Sequence, residues 1–272
     1  MSTTVVTAFY PLKRSKHTIS QYRQWIRNFC KIPCNLTVFT DAETGAMISA
    51  ERNSDLPTHM IITPFDSYAM TSPSMMKFWA EQHAKDPERT IHSPELYAVW
   101  AMKQECVSLA IADNIYASEW FVWCDIGIQR DVIKQHLYAN FPKHVPDLCE
   151  PGRISILEVY PISSHFVDVW QTHSTHYDMP ANALGAGCMA GDIVAWHDFC
   201  EAYISMIHTF NKRNLFAGKE QNIYFAMLIE HATKKPFKLY YSTRHAGLDH
   251  WMSFPVILGG DAPGLIDTRF ST

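Results

Sequence analysis

Asp125 is the residue in this chain whose setting most resembles a chemical site. It closes the apolar and aromatic run Trp120-Phe-Val-Trp-Cys124, which has no turn signal inside, and Gly127 follows two residues later. Such a run suits a strand buried on both faces of a parallel sheet. A carboxylate at the C-terminal tip of a central strand stands where open α/β sheets gather their ligands. As a hard oxygen ligand it would hold a divalent cation, and the cation would neutralise a phosphate. The other reading is a strand ending in a turn, because Asp and Gly are both turn formers.

The histidines are the second pool of chemistry, 14 in all. His173-Ser-Thr-His176 has the look of half a metal site, but no second pair at ligand spacing accompanies it. The seven cysteines form no CxxC pair. They sit mostly in apolar patterns, as free thiols in a reducing compartment would. No GxGxxG and no GxxxxGK[ST] occurs, so neither a dinucleotide fingerprint nor a P-loop accounts for the site. A GxSxG elbow is absent as well.

These residues need a scaffold, and the order of elements describes one. Thr3 to Phe9 is a β-branched run that reads as a strand. Thr18 or Ser20 caps a helix with Tyr22, Trp25, Ile26 and Phe29 at helical spacing. Leu36 to Thr40 is a second strand, so the chain opens on a βαβ unit. Ala42 to Arg52 reads as helix and His59 to Thr63 as a short third strand. Thr71-Ser-Pro and Ser93-Pro94 are two further helix starts. The second predicts one long helix to about Ala112, with Lys103 inside it. A short helix to about Tyr138 follows Asp125, and Ile154 to Val159 is a strand. His165 to Pro180 shows no clear period. The small-residue segment Ala183 to Asp192 suggests a strand or turn that backbone or ligand approaches closely. Helices follow from Ile193 to about Phe210 and from Lys219-Glu220-Gln221 onward, then a last strand from Phe237 to Tyr241.

The pattern predicts an α/β fold with a doubly wound, mostly parallel sheet flanked by helices, in one domain over residues 1–272. The net charge of -4 gives no electrostatic footprint for nucleic acid or for an acidic membrane surface. No apolar run has the length of a membrane span. The N-terminus lacks a basic n-region and runs straight into a strand, so a cytoplasmic location is expected.

Several segments together resemble a known family. Thr4-Val-Val-Thr-Ala-Phe-Tyr10, Tyr22, Trp25 and Val38-Phe-Thr-Asp41 look like the start of the HtrL/YibB (WlaTC-type) family. Ser93-Pro-Glu-Leu-Tyr97, Trp100, Lys103, Trp123-Cys-Asp-Ile-Gly127 and Arg130 look like its central block. Gly187 to Gly191 and Glu220-Gln221 are similar to its C-terminal half. The family is regarded as nucleotide-sugar-dependent transferases, so the resemblance implies a GT-A-type, Rossmann-like fold. Residues 1–130 would form the nucleotide-binding half and 131–272 the acceptor and sugar half. The implied reaction moves a sugar from a nucleoside-diphosphate donor to a hydroxyl of a glycan acceptor.

The resemblance also implies roles. Asp125 would bind Mn²⁺ or Mg²⁺, completed by His245 or, as runner-up, His250, because Gly127 stands where many GT-A enzymes carry a second carboxylate. An imidazole suits Mn²⁺ better than Ca²⁺; the plain alternative is an ordinary loop histidine. Lys103 would offset the charge of the departing diphosphate, or be a solvated helix lysine. Arg52 and Arg130 would clamp phosphate, or be surface arginines. Thr7, Ala8 and Phe9 would cradle base and ribose. Glu220, with Gln221 beside it, would face sugar or acceptor, and Glu220 and Asp192 compete as the base that takes the acceptor's proton. Trp170, Tyr177 and Trp251 would stack on an acceptor sugar, or be core. Two rivals remain: a non-catalytic nucleotide- or glycan-binding protein of the same fold, and a metal-dependent hydrolase built on the histidines.

Overall fold

The computed structural model describes residues 2–162, 164–172, 183–230, 236–242, 247–261 and 264–266. Strands β1 (Thr3–Phe9), β2 (Asn35–Thr40), β3 (Thr58–Ile62) and β4 (Trp120–Cys124) are all parallel, in the order β3-β2-β1-β4. Between β1 and β2 lies helix α1 (Ile19–Phe29), and between β2 and β3 lies α2 (Ala42–Glu51). Thr18 starts α1 with a reciprocal pair of hydrogen bonds to Gln21, and Asp41 caps α2 by accepting from the Thr44 amide.

Helices α3 (Pro73–His83), α4 (Pro94–Ala101) and α5 (Lys103–Asp113) precede β4. Pro at the first turn opens α3 and α4. The single long helix expected from Ser93 onward is interrupted at Met102, so Lys103 becomes the first residue of α5. No Pro or Gly marks that break, which is why periodicity alone runs through it.

The second half inserts an antiparallel strand. β5 (Ile154–Glu158) and β6 (Leu184–Asp192) pair antiparallel, and it is β6 that lies against β4, also antiparallel. β7 (Phe237–Ser242) runs parallel to β5, and β8 (Gly264–Ile266) closes the far edge. The full order is β3-β2-β1-β4-β6-β5-β7-β8. The sheet is mixed and mostly parallel, with helices on both faces, consistent with a Rossmann-like GT-A-type fold. Helix α6 (Val145–Leu148) precedes β5, α7 (Ser164–Gln171) follows it, and α8 (Ile193–Lys212), α9 (Glu220–Glu230) and α10 (Phe254–Leu258) complete the chain. α7 falls where no period was legible.

Successive strand residues point to opposite faces, and each face has its own core. Val6, Phe121, Trp123, Ile156 and Met189 pack beneath α4, α5, α8 and α9. Val5, Leu36, Val122, Cys124 and Leu157 pack on the other side with α1 and α10. β4 is buried on both faces along its whole length, as its unbroken apolar run requires. The glycines of β6 answer to packing: a Cβ on Gly191 would come within 2.6 Å of Ile154. Among the described residues no helix is long and apolar enough to cross a membrane.

Candidate active site

The order β2-β1-β4 sends the chain to one side of β1 first and to the other later, so β1 and β4 flank a topological switch point. A crevice opens there at the carboxyl ends of the strands. β1 and β4 stay paired only as far as Val6 and Trp123. Beyond that pair, Thr7, Ala8 and Phe9 continue along β2 while Asp125 leaves β4. Thr7 is fully buried, its hydroxyl without a hydrogen-bond partner among the described residues, and the Phe9 carbonyl accepts from the Thr40 hydroxyl at 2.7 Å.

Asp125 is fixed from three directions. Its amide donates to the Gly187 carbonyl on β6 at 2.8 Å. The Trp123 indole donates to its Oδ1 at 2.7 Å. Lys103 Nζ lies 3.1 Å from Oδ1 and 3.4 Å from Oδ2. The Asp125 side chain is nevertheless 42% exposed, whereas that of Lys103 is 3% exposed. An accessible carboxylate thus stands on a buried cation. Gly187 gives it room: a Cβ there would sit 3.4 Å from Oδ2 and 3.3 Å from Ile128.

Lys103 has a second carboxylate. Glu220, the first residue of α9, places Oε1 at 3.1 Å from Nζ with its side chain 6% exposed. The Ala186 carbonyl takes a third ammonium proton at 3.0 Å. All three donors of the ammonium are therefore used. Burial pulls the lysine's pKa down, but the Asp125 and Glu220 carboxylates more than offset it, and the pKa ends above the ordinary lysine value. The group is a cation held between two anions, not a solvated helix lysine. Gln221 turns away from it and donates to the Leu184 carbonyl at 2.8 Å.

Other residues expected at the site are held elsewhere. Arg52 is buried at the end of α2, donating to the carbonyls of Cys30, Ile32 and Cys34 and to the Thr58 hydroxyl. Those partners lie at the amino ends of β2 and β3, so Arg52 is a structural clamp on the opposite edge of the sheet from Asp125 and no phosphate ligand. Asp192 also sits on that opposite edge, paired with Trp120 at the start of β4. It caps α8 by accepting from the Ala195 amide at 2.7 Å and takes the Gly152 amide at 3.0 Å. It is a helix cap and does not compete for the acceptor's proton. Glu220 is buried and paired with Lys103, so its role is to position that lysine; it is not a base open to an acceptor. Gly127 packs on Trp25, where an added Cβ would sit 3.3 Å from the ring. Arg130 spreads over the same Trp25 ring at 4.6 Å while donating to the Gly127 carbonyl. Trp170 is core, stacked on Phe210 and bonded to Glu230.

His245, His173, His176 and Tyr177 lie outside the described residues. His250 begins a 3-10 turn, its ring 5.5 Å from that of Tyr160, and its Nε2 is buried with no hydrogen-bond partner among the described residues. Trp251 packs edge-on to the same Tyr160. Among the described residues, three metal-ligating side chains come together only at Asp86, Glu88 and His92. There the Asp86 carboxylate is wholly buried and already accepts from the Tyr97 hydroxyl, His92 Nδ1 and the Glu88 amide. Lys219 pairs with Glu88. The cluster is a polar knot that ties the 86–92 loop to the residue just before Glu220. Sequence reasoning missed the Lys103–Glu220 pair, which is not local in the chain, and also the knot, whose Asp86, Glu88 and His92 are local but carry no ligand motif.

Among the described residues, the ligand donor at this position is consequently the one half-exposed carboxylate of Asp125. That fits Mg²⁺ or Mn²⁺ held mainly by substrate phosphates and water, and does not make an all-protein cage. No protein-family model matches the chain, and no curated protein matches it.

Proposed function

We propose that this protein is a GT-A-type glycosyltransferase that moves a sugar from a nucleoside-diphosphate donor to a hydroxyl of a glycan acceptor. The observation that carries the reading is the exposed Asp125 carboxylate resting on buried Lys103 at the switch point of the sheet. The resemblance of Trp123-Cys-Asp-Ile-Gly127 and Ser93-Pro-Glu-Leu-Tyr97 to a family of such transferases supports it.

In the transfer, the acceptor oxygen forms a bond to the anomeric carbon. The bond from that carbon to the diphosphate oxygen breaks, and its electron pair leaves with the nucleoside diphosphate. The hydroxyl proton passes to the departing diphosphate oxygen, which has gained the electron pair, or through water to solvent. Lys103 supplies fixed positive charge beneath the leaving group, in a site where its orientation is set before substrate arrives. Asp125 would hold a divalent cation through its half-exposed carboxylate, and that cation would neutralise diphosphate charge. Thr7 to Phe9 would form the wall on which base and ribose rest. Tyr160 and Trp251 stand near the end of β5 on the same side of the sheet and would face the acceptor.

A second reading, a non-catalytic nucleotide-binding protein, is favoured by one observation. Neither carboxylate first considered as base is free for that work: Glu220 is ion-paired and Asp192 is at the other edge. Calorimetric titration with UDP and GDP, with and without Mn²⁺, tests donor binding. The expected result is Mn²⁺-dependent binding that Asp125→Ala abolishes. Absence of binding to either nucleotide, together with an inert Asp125→Ala, overturns the proposal. Binding without turnover of any nucleotide sugar leaves the second reading standing in its place.

A further inference from the structure

The net charge of the chain conceals a strong asymmetry. The first 40 residues hold six of the 23 Lys and Arg and none of the 27 Asp and Glu. Folding gathers these cations rather than scattering them. Lys13 and Lys16 lie in the exposed loop that leaves the carboxyl end of β1, and Arg23, Arg27 and Lys31 recur every fourth residue along the exposed side of α1 and the turn after it. Arg130 joins them over Trp25, on the helix's own surface. Lys16 and Arg130 are close enough to His17 that, after burial, their charges lower its pKa. Arg27 is spent on Glu51. Lys13, Lys16, Arg23, Lys31 and Arg130 have no carboxylate within salt-bridge reach among the described residues.

Beside this stripe stands an aliphatic edge. The 3-10 segment Val132–Tyr138 is moored to α1 and the turn after it by Lys31 to Gln135 at 3.3 Å, and the Asn28 amide reaches the Gln129 carbonyl at 3.1 Å. On it Ile133 is 81% exposed and Val132 52% exposed; Ile19, at the start of α1, is 48% exposed. Water-facing aliphatics this open, set against unpaired cations, are the two ingredients of interfacial binding. The cations meet lipid phosphates, and the aliphatics enter the acyl boundary.

We propose that the exposed side of α1, with the loop before it and the Val132–Tyr138 segment beside it, is a docking surface for a bilayer rich in anionic phospholipid. A soluble acidic polymer would use the charge but leave Ile133 and Val132 in water, so the aliphatic edge decides for the bilayer. Docking is independent of the reaction at Asp125. The attraction is local, because at physiological salt charges act over about 8 Å and the acidic remainder of the chain does not cancel them at contact.

Co-sedimentation with vesicles of equal parts phosphatidylglycerol and phosphatidylcholine, against pure phosphatidylcholine, tests this. The protein is expected to sediment with the anionic vesicles only, and to be released as salt rises. Each exposed cation near the surface contributes roughly fivefold, so the double variant Lys16→Ala/Arg23→Ala is expected to bind roughly 25-fold more weakly. Ile133→Ser is expected to weaken binding about tenfold at constant charge, and Asp125→Ala to leave it unchanged. The proposal is overturned if the protein ignores anionic vesicles at low salt or if the double variant binds like the parent. Capture by a soluble acidic polysaccharide with no vesicle binding also overturns it.

Discussion

The buried ammonium of Lys103 should show its dependence on Glu220 in a double-mutant cycle. Glu220→Gln keeps the shape of the side chain and an oxygen that accepts from the ammonium, but removes one of the two charges at 3.1 Å. Breaking a buried pair outright costs about 3–5 kcal/mol. Asp125 and the Ala186 carbonyl remain here, so about 2 kcal/mol is expected, or roughly 5 °C in Tm for a chain of this size. Lys103→Met leaves Glu220 buried with no cation and should cost the full loss of about 3–5 kcal/mol. The double variant has neither the buried cation nor the buried anion of that pair, and Asp125, left without the lysine as in the single variant, is half exposed to water. It is expected to be more stable than the sum of the two losses predicts, by about 1 kcal/mol or more. Thermal and urea unfolding of the four proteins measure this. Effects that add within about 0.5 kcal/mol would refute the reasoning.

A pH arm follows from the same pair. Because the folded-state pKa of Lys103 is raised, its contribution is complete below the ordinary lysine pKa and is lost as pH rises through the folded value. Glu220→Gln removes one of the anions that hold the pKa up. The alkaline loss of stability should therefore be smaller and end at a lower pH in that variant.

Two further outcomes are expected. Arg52→Ala removes a buried guanidinium that serves three backbone carbonyls, of which that of Ile32 keeps the Cys34 amide, and should cost about 3 kcal/mol while leaving nucleotide affinity unchanged, as unfolding and titration would show. Asp86 is raised by burial, but Tyr97, the Glu88 amide and His92 bring its pKa net below the usual carboxylate value. Its contribution is present above about pH 4 and is lost as pH falls through the lower folded value, so Asp86→Asn should melt lower at neutral pH and show a flatter acid limb in a pH series of melts.

The strands were legible because their signals are local. The unbroken Trp120–Cys124 run, the β-branched Thr3–Phe9 and the capped start of α1 need no distant partner to be read. Asp125 was legible for the same reason, since a carboxylate after an apolar run marks a strand end. What failed was everything set by long-range pairing. Lys103 and Glu220 meet across more than a hundred residues, and nothing near either announces the other. Arg52 reads as a surface arginine or phosphate clamp until β2 and β3 bring the Cys30, Ile32 and Cys34 carbonyls around it. Asp192 follows a glycine-lined segment, but the antiparallel direction of β6 carries it to the far edge, and sequence does not reveal strand direction. The overall charge likewise hid the cationic stripe, because an average over 272 residues erases a block of 40.

The insertion of β6 between β4 and β5 has a consequence for how the chain emerges during synthesis. β1 to β3 can assemble with β4 as soon as Cys124 has appeared, but β5 offers β4 no partner. The free edge of β4, with Trp120 to Cys124 exposed, waits for roughly 70 more residues, until Asp192 has left the ribosome. At ordinary elongation rates that is on the order of 10 s. During that interval the most apolar strand of the sheet is an open template for another chain. A chain cut short before β6 should aggregate through β4, while one ending after α8 has the edge covered.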